Sequence, residues 1–138
     1  MFLIGFPLLL VPFAIYNIIA FLMPGLSWTA PLITIHMASG ADCTMSAGDI
    51  VVVIGILMLF GEVMKSTRIG FRTVVDHGLS LVLFLGMLVE FILVKQASSS
   101  TFFLLLVIGF VDVIGGFAVT LRSSQRDLTV EGVGHLPS

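Results

Sequence analysis

Five ionisable residues lie inside the apolar runs of this 138-residue sequence: Glu62, Asp76, His77, Glu90 and Asp112. Carboxyl and imidazole groups take up and release protons and bind cations, and in a membrane helix they mark functional sites by default. We therefore treat them as a candidate intramembrane ion or proton site. The alternative is structural, because a buried hydrogen bond or ion pair can also hold helices together.

The helices that must position these residues are predicted from composition. Hydrophobic residues make up 58% of the chain and charged residues 10%, and the mean hydropathy is +1.20. Such a chain is too apolar for an average soluble domain. A membrane-crossing helix needs about 20 apolar residues. Four segments approach or exceed this length, at residues 2–23, 49–66, 73–94 and 101–121. We expect an all-α integral membrane protein, a four transmembrane helix bundle that forms a single membrane domain over residues 1–138.

Turn and cap residues predict the connections. Residues 24–48 form the one long loop, in which "LITIHM" alternates like a strand and predicts a short hairpin. Ser46 or Asp49 should cap the second helix, and Ser100 or Thr101 the fourth. Pro12 should bend the first helix. The tail, residues 122–138, has no apolar period and is expected to be irregular.

The first segment could be a secretory signal rather than a retained helix. No Lys or Arg precedes it, its apolar run exceeds the usual length of about 7–15 residues, and no A-x-A-like site follows. We expect a retained helix.

Basic residues predict the orientation. Only Lys95 falls on one side of the predicted bundle, and the other five basic residues fall on the opposite side: Lys65, Arg68, Arg72, Arg122 and Arg126. By the positive-inside rule both termini are cytoplasmic, an N-in/C-in topology with an exterior loop at 24–48 and a cytoplasmic tail at 122–138. The expected location is the bacterial inner (plasma) membrane, with the bilayer itself as a partner, since charges near Arg68 suit anionic head groups.

Glycines share helix faces with the acids. Three sets recur at helical spacing: Gly48, Gly55 and Glu62; Asp76, Leu83 and Glu90; and Gly109, Asp112 and Gly116. Glycine lets helix backbones approach closely, and an ionisable group turns away from lipid. These faces are therefore predicted to point inward, with the four glycines as helix-packing residues.

Depth along each helix separates Asp112 from the other ionisable groups. It lies near the membrane midplane, whereas Glu62, Asp76 and His77 lie about 7–12 Å toward the cytoplasm and Glu90 about 9 Å toward the exterior. No Lys or Arg falls at the depth of Asp112, so we expect a protonated carboxyl that donates a hydrogen bond. For Glu62, Asp76 and His77, pairing with nearby basic side chains is the favoured interpretation.

Other chemistry has little support in the sequence. His36, Cys43 and Met45 are weak candidates for a soft-metal site, without a recognised spacing, so no metal site is predicted. Motifs such as HExxH, GxSxG and GxxxxGK[ST] do not occur. We expect a non-enzymatic protein with no cofactor. With six basic residues and a net charge of -2, the sequence does not predict a basic surface that would bind nucleic acid.

Two functions from different classes remain. The favoured hypothesis is an accessory or scaffold subunit whose glycine-plus-acid faces dock onto another membrane protein, or onto itself as a homo-oligomer. The alternative is a small channel or transporter component that conducts protons or cations past Asp112.

Overall fold

Helices dominate the structure. A computed structural model of the chain describes residues 6–66 and 71–134, and these contain four α-helices and one β-hairpin. The helices are α1 (Leu10–Leu22), α2 (Ala47–Ser66), α3 (Phe71–Leu93) and α4 (Ser100–Gly134), and the strands are β1 (Pro31–His36) and β2 (Asp42–Ser46). A single 3₁₀ turn, Lys95–Ala97, joins α3 to α4. The mostly helical architecture is confirmed.

Three helices contain segments long and apolar enough to cross a membrane: Ala47–Lys65, Val74–Leu93 and Ser100–Ala118. They suggest an integral membrane protein. Helix α1 is shorter, because its 13 residues rise about 20 Å against a hydrocarbon layer of about 30 Å. The expected helix over 2–23 therefore begins eight residues late, although residues 2–5 lie outside the described part of the chain.

Two prolines explain where α1 begins. The carbonyl oxygen of Pro7 accepts a hydrogen bond from Leu10 N at 3.0 Å, which closes the first turn. Pro12 then falls in the first helical turn, where a backbone N–H has no intrahelical partner to lose. The reason for expecting a bend at Pro12 is therefore absent.

Helix α4 is the centre of the bundle. It packs against both α2 and α3, whereas α1 packs mainly on α2. Half of the membrane-length segment of α4 is buried, compared with 28% in α2 and 17% in α3. Helical periodicity alone could not assign these neighbours.

Small residues make the seams between these helices. On α2, Gly48 lies against Thr101, and Gly55 lies against Leu105 and Ile108, all on α4. On α4, Gly109 meets Phe84 of α3. A side chain larger than hydrogen would separate the backbones at these points.

Hydroxyl residues cap two of the helices. Ser46 Oγ accepts a hydrogen bond from Asp49 N at 3.2 Å, and the Asp49 carboxylate accepts one from Ser46 N at 2.9 Å. This reciprocal capping box at the start of α2 confirms the predicted cap. At α4 the cap is Ser99, whose Oγ accepts from Phe102 N at 3.2 Å. The predicted Ser100 or Thr101 was wrong by one or two residues, because both already lie inside α4, which begins at Ser100.

The predicted hairpin is confirmed. Strands β1 and β2 pair antiparallel with His36 opposite Asp42 and Ile35 opposite Cys43, and a bulge lies between Pro31 and Ile33. The turn closes through Gly40, whose φ of 89° favours glycine. Both faces of β1 are exposed, so the hairpin stands apart from the helical core.

Helix α4 continues past Leu121 to Gly134, so the expectation of an irregular tail was wrong for residues 122–134. No glycine or proline occurs between Gly116 and Gly132, and nothing in that stretch stops the helix. A polar helix needs no apolar period, which is why hydropathy missed it. Residues 135–138 of the predicted tail lie outside the described residues.

Gly48→Ala should destabilise the protein by about 1–3 kcal/mol, because the new methyl group would overlap Thr101 Oγ1 and the Trp28 carbonyl oxygen. Gly86→Ala on α3 is the matched control, since nothing lies within 4 Å of its Cβ position. The control should be neutral or stabilising by up to about 1 kcal/mol. Thermal unfolding in detergent measures the stability change of each variant. Equal effects of the two substitutions would contradict the close packing of α2 against α4.

Candidate functional site

Six polar side chains from three helices meet at the end of the bundle far from the hairpin, and we call them the buried polar cluster. Glu62 and Lys65 come from α2, Asp76, His77 and Ser80 from α3, and Asp112 from α4. Five of the six are at most 9% exposed, and the Lys65 side chain is 12% exposed. The structure thus brings together four of the five predicted ionisable residues and leaves Glu90 elsewhere.

Lys65 is the cation of this cluster. Its Nζ lies 3.4 Å from Glu62 Oε1 and 4.0 Å from Asp76 Oδ2, which ties α2 to α3. The same ammonium donates a hydrogen bond to the carbonyl oxygen of Phe6 at 2.6 Å. Burial makes this arrangement costly to disrupt, because charges taken out of water depend on the partners that surround them.

Glu62 also holds the segment that precedes α1. Its carboxylate accepts a hydrogen bond from Leu8 N, in the turn that leads into the helix. Sequence reasoning missed this contact and that of the Phe6 carbonyl. Both use main-chain atoms of apolar residues, and such residues carry no signal of a polar role.

Asp112 is 4% exposed, and no ion pair among the described residues includes it. The charges of Glu62 and Lys65 lie close enough to act on it, and Ser80 faces it from α3. The protonated state expected for Asp112 stays a prediction.

Two atoms in the cluster lack hydrogen-bond partners. Ser80 Oγ and His77 Nε2 are the only buried side-chain polar atoms without one in the described part of the chain. The His77 ring packs directly against Gly116 of α4, where any larger residue would displace it. A buried polar atom without a partner is costly, so His77 Nε2 is available to a proton, a water molecule or an ion, whereas Ser80 Oγ faces the Asp112 carboxyl.

A second polar layer lies at the hairpin end. Asn17 donates a hydrogen bond to Glu90 Oε2 at 3.4 Å and so gives this half-buried carboxylate a partner. Tyr16 hydrogen-bonds elsewhere: its hydroxyl donates to the Gln96 carbonyl at 3.0 Å and lies 2.6 Å from Ser99 Oγ. These contacts join α1 to the α3–α4 connection, and they give Glu90 a structural environment.

Apolar side chains separate the two polar layers. Met87 of α3 and Leu105, Leu106 and Ile108 of α4 are all buried, and they lie one to two turns from Asp112 or Ser80 toward the hairpin. These four side chains are apolar and cannot bind a proton or an ion. The buried polar cluster is therefore closed on its hairpin side in this conformation.

The candidate metal ligands of the hairpin do not converge. His36 pairs with Asp42 at 2.7 Å on one face, together with Thr34 and Thr44. Cys43 and Met45 lie on the opposite face, because neighbouring strand residues alternate. Among the described residues no group of three or more His, Cys, Asp or Glu side chains could hold a metal ion.

Comparison of the chain with protein-family models, with curated proteins and with solved structures finds no match.

Proposed function

We propose that this chain is a small non-enzymatic polytopic membrane protein that binds protons or cations in the buried polar cluster, as a component of a channel or transporter. The observation that carries the proposal is Asp112, a buried carboxyl with no ion pair among the described residues and with the unpartnered Ser80 hydroxyl facing it. An ionisable group in a membrane helix is expensive, and a functional role explains its retention.

The packing of the glycines favours this function over docking through the glycine-plus-acid faces. Within one chain those faces already pack against each other, as Gly55 does against Leu105 and Gly116 against His77. A partner would have to bind another surface. The apolar layer around Leu105 implies that conduction needs either a conformational change or a second subunit.

An accessory or scaffold subunit remains the second candidate, and the hairpin favours it. Four apolar residues of the hairpin are 44–58% exposed: Leu32, Ile33, Ile35 and Met37. An isolated two-stranded hairpin is marginally stable in water, so contact with another membrane protein, or with a second copy, would support it. Native mass spectrometry of the gently extracted protein tests this candidate. A second polypeptide at fixed stoichiometry would favour it, and a monomer alone would count against it.

For the topology we propose four crossings with both termini in the cytoplasm of a bacterial inner membrane. The first crossing combines α1 with residues 6–9. Leu8 contacts Glu62 at one end and Tyr16 contacts Ser99 near the other, so this segment reaches both polar layers. The excess of Lys and Arg near the cluster end supports the orientation.

A membrane-impermeant maleimide should label Cys43 in intact cells. The thiol is exposed on the hairpin, and it is the only cysteine in the chain, so labelling reports the side of the hairpin directly. Cys43→Ser is the control for background. Labelling that appears only after the cells are broken would invert the proposed orientation.

Asp112→Asn should reduce proton or cation flux in reconstituted liposomes by about 100-fold, because the amide cannot exchange a proton and carries no charge. Asp42→Asn is the matched control, since this exposed hairpin carboxylate lies far from the cluster and its loss should leave flux unchanged. Full flux through the Asp112 variant would exclude a relay through this residue. The absence of any flux in the wild-type protein would refute the proposed function.

A further inference from the structure

We infer that the ion bound by the buried polar cluster is the proton, and that Lys65 sets this selectivity by occupying the position a metal cation would take. The inference rests on the proposed function and narrows its substrate class. The observations behind it are the placement of the Lys65 ammonium, the Ser80 hydroxyl that faces Asp112, and the unpartnered Nε2 atom of His77 in the same cluster.

The Lys65 ammonium sits where cation ligands converge. Three oxygens surround it, namely Phe6 O at 2.6 Å, Glu62 Oε1 at 3.4 Å and Asp76 Oδ2 at 4.0 Å. A carbonyl and two carboxylates are the ligands that hard metal cations prefer. The tethered ammonium satisfies the same oxygens, and it is connected to the chain and cannot diffuse away.

A competing metal ion would have to displace this ammonium. The metal ion and the Lys65 ammonium would then lie in the same buried space, and like charges in a low-dielectric environment repel each other strongly. Among the described residues, no group of three or more His, Cys, Asp or Glu side chains could hold a metal ion elsewhere. Na⁺ and K⁺ are therefore excluded while Lys65 is present.

A proton has different requirements, and the opposite side of the cluster meets them. Asp112 and Ser80 face each other from α4 and α3, and Ser80 Oγ and His77 Nε2 have no other partner. A proton needs one lone pair at each step, whereas a metal ion needs several ligands at once. Acceptor atoms that are not held by other hydrogen bonds favour proton transfer over metal binding.

The transfer balances at each group. A proton that binds the Asp112 carboxylate gives the neutral acid, and its release restores the carboxylate. Ser80 accepts a proton on Oγ as it gives up its own, so the hydroxyl is unchanged. His77 can accept a proton at Nε2 and then carries a positive charge until it releases one. No oxidant or other reactant is required.

Every packed element contributes a charged group to this environment except the segment before α1. Helix α2 supplies Glu62 and Lys65, α3 supplies Asp76 and His77, and α4 supplies Asp112. The segment before α1 contributes main-chain atoms of Phe6 and Leu8. Proton uptake at Asp112 therefore responds to the charge of Lys65, which couples the two halves of the cluster.

Flux in liposomes tests the inference. Wild-type protein should acidify the lumen under an imposed pH gradient, read by an enclosed pH dye with N-methylglucamine as the only other cation. It should pass neither Na⁺ nor K⁺. Lys65→Met keeps an apolar stem but removes the charge, and it should raise Na⁺ or K⁺ flux at least about tenfold if the vacated oxygens admit a metal. Lys65→Arg, which keeps the charge, is the matched control and should stay closed to both metals.

The outcomes separate the inference from the function on which it rests. Na⁺ or K⁺ flux through the wild-type protein, or a Lys65→Met variant that folds and stays closed to both metals, would overturn the inference and leave an ion-conducting function standing. No flux of any of the three ions through the wild-type protein would refute both.

A binding measurement covers the case in which the variant is inactive. The unfolding temperature of Lys65→Met in detergent should rise when choline chloride is replaced by NaCl or KCl, because a ligand that binds only the folded state stabilises it. The wild-type temperature should not change. Equal responses of the two proteins would overturn the inference.

Discussion

The bundle depends on one constraint: charged groups placed between membrane helices must find partners inside the protein. Lys65 meets this constraint at the end of the bundle far from the hairpin. Its ammonium joins Glu62 on its own helix, Asp76 on α3 and the Phe6 carbonyl before α1. In a low-dielectric environment an unpaired charge there would cost far more than on a soluble surface. The positions of α1, α2 and α3 are therefore linked through a single side chain.

Helix α4 completes the bundle by packing rather than by ion pairing. Glycines on α2 and α4 bring the backbones together, and the buried face of α4 carries Phe102 and Leu105 before it reaches Asp112. At the hairpin end Phe102 lies edge-on to Tyr16, with ring centroids 5.0 Å apart, and Trp28 stacks on Tyr16 at 4.3 Å. The resulting order of polar, apolar and polar layers isolates Asp112 from the hairpin side. Under the proposed function, an ion bound in this conformation would need a rearrangement of the apolar layer to leave on the hairpin side.

Much of this architecture was predictable because membrane helices obey strong rules. Hydropathy located α2, α3 and most of α4, and the shared spacing of glycines and acids placed Glu62, Asp76 and Asp112 on buried faces, where the structure has them. Alternation and the Ser46–Asp49 spacing predicted the hairpin and its junction with α2.

The rest depended on tertiary contacts or on weak local signals. The start of α1 was hidden because Pro7 and Pro12 lie in an uninterrupted apolar run, and hydropathy does not distinguish a helix from the turn before it. The role of Lys65 as a bridge to Asp76 required the neighbour order, which periodicity does not contain. The separation of His36 from Cys43 followed from strand register, which a one-residue slip between the strands would have reversed. Of the basic residues predicted to pair with Glu62, Asp76 and His77, Arg68 and the side chain of Arg72 lie outside the described part of the chain.

Lys65 joins α2 to α3 through Asp76, and a double-mutant cycle measures the strength of this coupling. The free energy of unfolding would be determined in bicelles for wild type, Lys65→Met, Asp76→Asn and the double variant. We expect a coupling energy of about 1 kcal/mol or more, since groups in one buried network are not additive. Additivity to within about 0.3 kcal/mol would show that the two side chains act independently and would contradict the bridge.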